Sequence, residues 1–228
     1  MAGRTQSRGE CSYCGAVVAR GGARRHLDAC ASRRATIEKA EANGGTRETL
    51  LHLRVLDENW GRFWLDLEMR GGATLKKLDE YLRAIWLECC GHLSRFSRGA
   101  WGMDEISMRR KAADVIRPGA PLTHTYDFGD SSYTQITLVA SREGVPTTRW
   151  PIALMMRNRL PEAPCAQCGE PATHLCLACL QTSNGVATLC AAHRKQHRHR
   201  DWPSPTPLVN SPRLGMCGYE GPALDPYA

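Results

Sequence analysis

The chain lacks any apolar stretch approaching the ~20 residues that a membrane span needs, although it runs to 228 residues. Its opening segment, MAGRTQSRGECSYC, has no apolar run behind its basic residues, so no secretory signal is expected and the protein reads as soluble and cytoplasmic. A Gly-rich phosphate loop, a Ser nucleophile elbow and a His-Glu-x-x-His pair are all missing, which lowers the case for an enzyme. No internal repeat and no low-complexity run breaks the pattern. What remains is a globular composition, 42% hydrophobic and 23% charged. The length suits one ordinary core with small satellite modules.

Cysteine is the exception to this plainness. There are eleven, and without an export signal a disulfide framework is the weaker reading. Nine of them fall in metal-ligand spacings. The first set is Cys11-x2-Cys14-x11-His26-x3-Cys30. A Cys-x-x-Cys turn brings two thiolates to one ion, and Gly15 permits the tight turn. His26 and Cys30 are four apart, which puts both on one side of a helix. Four such ligands close a tetrahedron and leave no position for substrate, so this zinc would be structural. The second set is Cys165-x2-Cys168-x7-Cys176-x2-Cys179-x10-Cys190-x2-His193-x3-His197, followed by His199 and Cys217. That is enough for two more ions, or about three zinc ions per chain. His174 falls between ligand pairs and reads as a surface residue.

The order of pairs in the second set resembles the cross-brace arrangement of B-box and related fingers. The resemblance implies that Cys165 and Cys168 share an ion with Cys190 and His193. Cys176 and Cys179 would share the other with two of His197, His199 and Cys217. Nine candidates compete for eight places, and Cys217 is preferred because RLGMCGY sets it among glycines and offers it no other use.

The net charge of +7 is uneven, since residues 1–40 hold eight Lys/Arg against three Asp/Glu. Arg24 and Arg25 lie on the expected finger helix, and Arg33 and Arg34 follow it. A local basic excess favours a polyanion, usually nucleic acid, although a solvated tail looks the same in sequence.

Three regions follow: residues 1–46, a finger and linker helix (RRATIEKAEA) stopping at NGG; residues 47–164, the main domain; and residues 165–228, the two-zinc module. In the main domain TLLHLRVL and RFWLDLEM read as strands. Thr74 is placed to cap a helix whose apolar face is Leu75, Leu78, Leu82, Ile85 and Cys89, with Asp79 four residues before Arg83. THTYDFGDSSYTQITLVAS reads as a hairpin, with Gly129 at positive φ, Asp127 or Asp130 accepting from the turn, and Tyr126 and Phe128 anchoring the sheet. PIALMM is expected to close the domain. Strands, a helix and more strands predict an α+β fold with a mixed or antiparallel sheet and a packed helix.

HTYDFGDSSYTQITL, with TLKKLDEYLRAIW and HLSRF upstream, resembles the signature of the plasmid pRiA4b ORF-three-like family. PIALMMRNRLPEAPCAQCGEPATHLC and VNSPRLGMCGY resemble the zinc-bearing tail of some members. The likeness covers roughly residues 47–220, and Ser132 departs from it where many members have Trp. It implies an α+β fold and a home on plasmids or mobile elements, and supplies no activity. The leading expectation is a zinc-binding protein that contacts nucleic acid or helps an assembly, without membrane contact. A protein–protein adaptor is the alternative. A hydrolytic site on Asp127, Asp130 and His92 is the third reading, against the simpler view of these aspartates as turn residues.

Overall fold

The computed structural model describes residues 7–59, 61–99, 104–182, 187–200 and 203–228; Met1–Gln6 of the opening segment lie outside them. The elements are β1 (Arg8–Cys11), β2 (Val17–Ala19), α1 (Ala23–Ala29), α2 (Ala31–Ala42), β3 (Glu48–Asp57), β4 (Trp64–Arg70), α3 (Leu75–Leu82), β5 (Ser94–Ser97), β6 (Glu105–Ile106), α4 (Ala112–Val115), β7 (Leu122–Tyr126), β8 (Ser132–Gly144), β9 (Ile152–Asn158), β10 (His174–Leu175), α5 (Leu177–Thr182), β11 (Thr188–Leu189), α6 (Ala191–Gln196) and β12 (Thr206–Pro207). A nine-stranded antiparallel sheet runs β2-β1-β9-β4-β3-β8-β7-β5-β6, and a small sheet runs β11-β10-β12. The fold is α+β. No helix among the described residues is long and apolar enough to cross a membrane.

Side chains alternate across a strand, so β3 and β4 each present two faces. Leu51, Leu53 and Val55, with Leu65, Leu67 and Met69, enter the main core beneath α3. Leu75, Leu78 and Leu82 of that helix, and Ile85 in the turn that follows it, are fully buried there, each contributing about 1.5–3 kcal/mol of burial. The other face carries His52, Arg54, Asp66 and Glu68, and it too is covered. Asp66 accepts from His52 Nε2 at 2.8 Å and from Arg54 Nε and Nη2 at 2.8 and 2.9 Å. Glu68 accepts from Arg142 at 2.9 and 2.8 Å and faces Arg33 of α2 at 3.6 Å.

The N-terminal finger therefore extends the sheet. β1 pairs with β9 from Gly9↔Asn158 to Cys11↔Met156, and Trp64 packs among Cys11, Ala23, Leu27, Cys30, Met155 and Met156. Gly9 is needed for this closeness, because a Cβ there would stand 2.5 Å from the Trp64 ring. Strand β9, expected to close the domain, lies inside the sheet between β1 and β4.

Four further expectations are corrected. Thr74 makes no side-chain cap; the first α3 amides donate instead to the Arg110 and Met108 carbonyls, both at 2.9 Å. The helix does not reach Cys89, because a π-turn over Arg83–Leu87 ends it. In the β7–β8 turn Asp127, not Gly129, takes the positive φ, at 65°, and Phe128 is exposed beneath Arg95 rather than anchoring the sheet.

The last segment returns to the main domain. Arg157 donates to the Asn210 and Ala223 carbonyls at 2.6 and 2.7 Å, Ser211 Oγ to the Trp86 carbonyl at 2.6 Å, and Tyr227 stacks on Trp150. Residues 165–228 are thus a small module followed by a strap along the larger sheet.

Candidate metal centres

A tetrahedral zinc with Zn–S near 2.3 Å and Zn–N near 2.0 Å spaces its ligand atoms about 3.8 Å apart for two sulfurs and about 3.5 Å for sulfur and nitrogen. Each of four Cys/His groups has all its ligand atoms within 4.8 Å of one another, near enough that each group could hold a metal ion. The donor chemistry of these groups suits zinc.

In the finger, Cys11 ends β1, Cys14 lies in the turn, His26 is on α1, and Cys30 separates α1 from α2. Gly15 takes φ 71° and donates its N–H to the Cys11 carbonyl at 2.9 Å, closing the knuckle. Cys14 Sγ is 3.5 Å from His26 Nε2. Burial pushes the Cys11 thiol up to about 11. Burial acts the same way at Cys30, but the Arg33 N–H and the nearby thiols of Cys14 and Cys11 outweigh it and lower that thiol.

The first tail centre joins Cys165 and Cys168 to Cys190 and His193. His193 Nδ1 lies 3.5 Å from Cys165 Sγ and 3.3 Å from Cys190 Sγ, and Cys168 Sγ is 3.9 Å from Cys190 Sγ. Burial raises the Cys165 thiol, but the N–H groups of Cys190, Gln167 and Cys168 outweigh it and bring it down to about 6. The backbone is thus arranged for a thiolate. The second centre joins Cys176 and Cys179 to His197 and His199. His197 Nε2 lies 3.2 Å from Cys176 Sγ and 3.3 Å from Cys179 Sγ, and His199 Nε2 is 3.3 Å from Cys179 Sγ. First pair with third and second with fourth is the cross-brace order. His174 stays outside, bonded to Arg194 Nη1 at 2.7 Å.

Cys217, preferred for this second centre, is not in it. It stands 3.4 Å from Cys90 Sγ and 3.3 Å from His92 Nε2, at the end of the main domain. Both histidines 197 and 199 fill the places left open by the sequence. Sequence reasoning missed Cys89 and Cys90 as ligand candidates and grouped His92 with Asp127 and Asp130 instead; the close Cys-Cys-x-His spacing was the available signal.

The Asp127, Asp130 and His92 set is not assembled. Asp127 Oδ2 is 3.4 Å from His92 Nε2, but Asp130 is exposed and contributes its carbonyl, which accepts from Arg213 Nη1 at 2.5 Å. Asp127 has structural work of its own: Oδ1 accepts from the Gly129 N–H at 2.9 Å, and Oδ2 from Arg213 Nη2 at 2.5 Å. Burial raises its carboxyl, but those two partners more than offset this and lower it.

Of the four arginines, Arg33 is committed inward, facing Glu68 and donating to the Leu27 carbonyl at 3.3 Å. Arg24 sits 3.7 Å from Asp28 on the surface. Arg25 and Arg34 are exposed and make no ion pair among the described residues.

No family model matches the chain and no curated protein does. Among solved structures, a protein of unknown function from Methanosarcina mazei Go1 is similar over 46% of this chain and 68% of that one, at 20% identity and a TM-score of 0.40.

Proposed function

We propose that this is a zinc-ordered binding protein whose partner is a nucleic acid. The observation that carries the reading is the set of preassembled Cys/His centres in the finger and the tail, each with four soft or borderline ligand atoms within 4.8 Å of one another. Closed centres of this kind order a surface and leave no coordination position for a substrate. The surface they order is basic. Arg25 and Arg34 lie outward on α1 and α2, and Lys195, Arg198 and Arg200 are exposed on and after α6. No acidic residue falls between Glu170 and Asp201, so the second cationic run has no carboxylate within its own segment to neutralise it. Cations held in this way pair with phosphates and position a duplex or structured strand without reading its sequence.

The inward commitment of Arg33 favours the adaptor alternative, because it removes one cation from the finger. Gel-shift titration at two salt concentrations separates the two. The zinc-loaded chain is expected to bind with a salt slope that falls by about 0.9 for each phosphate contact removed. Arg25→Ala with Arg34→Ala, and Lys195→Ala with Arg198→Ala and Arg200→Ala, are expected to flatten it stepwise. Binding that neither set alters, or none by the wild type, makes the protein an adaptor.

A further inference from the structure

We propose that Cys89, Cys90, His92 and Cys217 form a fourth metal centre, taking a soft divalent ion of the zinc type, which fastens the C-terminal strap to the end of the main sheet. The proposal shares with the preceding section the reading of Cys/His groups as zinc sites. It adds a site that no Cys-x-x-Cys spacing announces and whose ligands are 125 residues apart in the chain.

The geometry is that of the other three. Cys89 Sγ and Cys90 Sγ are 3.7 Å apart, Cys90 Sγ and Cys217 Sγ 3.4 Å, Cys217 Sγ and His92 Nε2 3.3 Å, and Cys90 Sγ and His92 Nε2 2.9 Å. Three sulfurs and one imidazole nitrogen gathered within 4.8 Å of one another make a donor set that selects zinc over harder ions.

The backbone is bent to bring these atoms together. The π-turn at Arg83–Leu87 stops α3 just before Cys89, and such turns recur at functional sites. Cys217 takes φ 49°. A left-handed conformation at a non-glycine residue persists only where its surroundings enforce it. Gly215 and Gly218, at φ 78° and 70°, let the strap turn in and out around it. Asp127, across the site, is another of the non-glycine residues at positive φ.

A supporting shell is also present. Arg213 is fully buried, and its Nη2 lies 3.5 Å from Cys89 Sγ and 2.5 Å from Asp127 Oδ2. Tyr126 Oη is 3.6 Å from Cys89 Sγ and 3.1 Å from Glu88 Oε1. Outer groups that hold ligands in place are a regular part of metal sites. Three thiolates and a divalent ion sum to one negative charge, and the Arg213 guanidinium stands beside it. Cys90 and Cys217 are exposed, so this centre is the one most open to chelators.

The test is cobalt(II) loading of the reduced, metal-free full-length chain, with the bound ions counted by elemental analysis and by the thiolate charge-transfer absorption. Four ions are expected in the wild type and three in Cys217→Ser and in Cys90→Ser, with circular dichroism unchanged. Three ions in the wild type and two in Cys217→Ser would still support this centre and place the loss elsewhere. Three ions in the wild type and in both variants would overturn it. So would a Cys90–Cys217 disulfide in protein that holds three ions. If Cys11→Ser and Cys165→Ser also bind as many ions as wild type, the zinc reading of the whole protein fails, and that result is distinct from failure of the fourth centre alone.

Discussion

Replacing Asp127 by Ala should be among the most damaging single changes in the main domain. The side chain holds two partners: the Gly129 amide and the fully buried Arg213. Removing it leaves a guanidinium in the interior without its carboxylate, held by the Asp130 carbonyl, Ser132 Oγ and the longer contact to Cys89 Sγ. Breaking a buried pair from one side costs about 3–5 kcal/mol. Loss of the turn acceptor adds about 1 kcal/mol. Alanine at φ 65° adds about 1–2 kcal/mol, because it lacks the local hydrogen bond that lets Asp and Asn tolerate that region. Asp127→Asn separates these contributions: it keeps the turn acceptor and the backbone preference and loses only the charge, so it should cost clearly less than Ala. Asp130→Ala is the control, since an exposed side chain away from such features changes stability by about 0.5 kcal/mol or less. Urea unfolding of zinc-saturated protein, followed by tryptophan fluorescence, gives all three values. Equal costs for Asp127→Ala and Asp130→Ala would refute the assignment of the buried pair.

Gly9→Ala should destabilise by about 1–3 kcal/mol through its clash with Trp64, and an unchanged melting temperature would mean that β1 is not docked as described. Cys11→Ala should loosen the sheet as well as the finger, because β1 hydrogen-bonds to β9; hydrogen exchange should quicken at Arg157 and Arg159, and protection that persists there would make the finger a separate module. Burial raises the Asp79 carboxyl, but the His124 and Ser94 bonds at 2.7 and 2.6 Å outweigh it and hold it below the usual carboxylate range. Its contribution is therefore full above about pH 4, the unfolded value, and is lost as pH falls through the lower folded value. Asp79→Asn should cost about 1–3 kcal/mol at pH 7 and flatten the acid limb of the stability curve, whereas parallel acid limbs would contradict the linkage.

The apolar face of β3 and β4 was legible because alternation in an antiparallel strand is a direct record of burial, and α3 likewise showed its face from Leu75 to Ile85. The opposite face was not, since His52, Arg54, Asp66 and Glu68 look like solvent-facing positions until Arg142 and Arg33 arrive from distant parts of the chain to cover and neutralise them. The same distant cover hid the docking of the finger. Its Cys and His spacing was read locally, but nothing local tells that Cys11 faces Trp64 or that Arg33 turns inward. Cys89 was placed on the helix by period alone, and a π-turn has no clear sequence signature. Cys217 was drawn to the wrong set because its glycine-flanked segment showed no other use for it, whereas the strap carries it back to Cys90 and His92 of the main domain. In the YDFGDS turn glycine was the expected bearer of positive φ, yet Asp127 carries it, a conformation aspartate tolerates better than most residues.

The central claim is that metal ions order this protein, and elemental analysis with native mass spectrometry of the purified full-length chain tests it most directly. The account predicts at least three zinc ions per chain, one in the finger and two in the tail, with their release by a chelator accompanied by loss of the tail's structure. A well-folded chain that carries one zinc or none would contradict it.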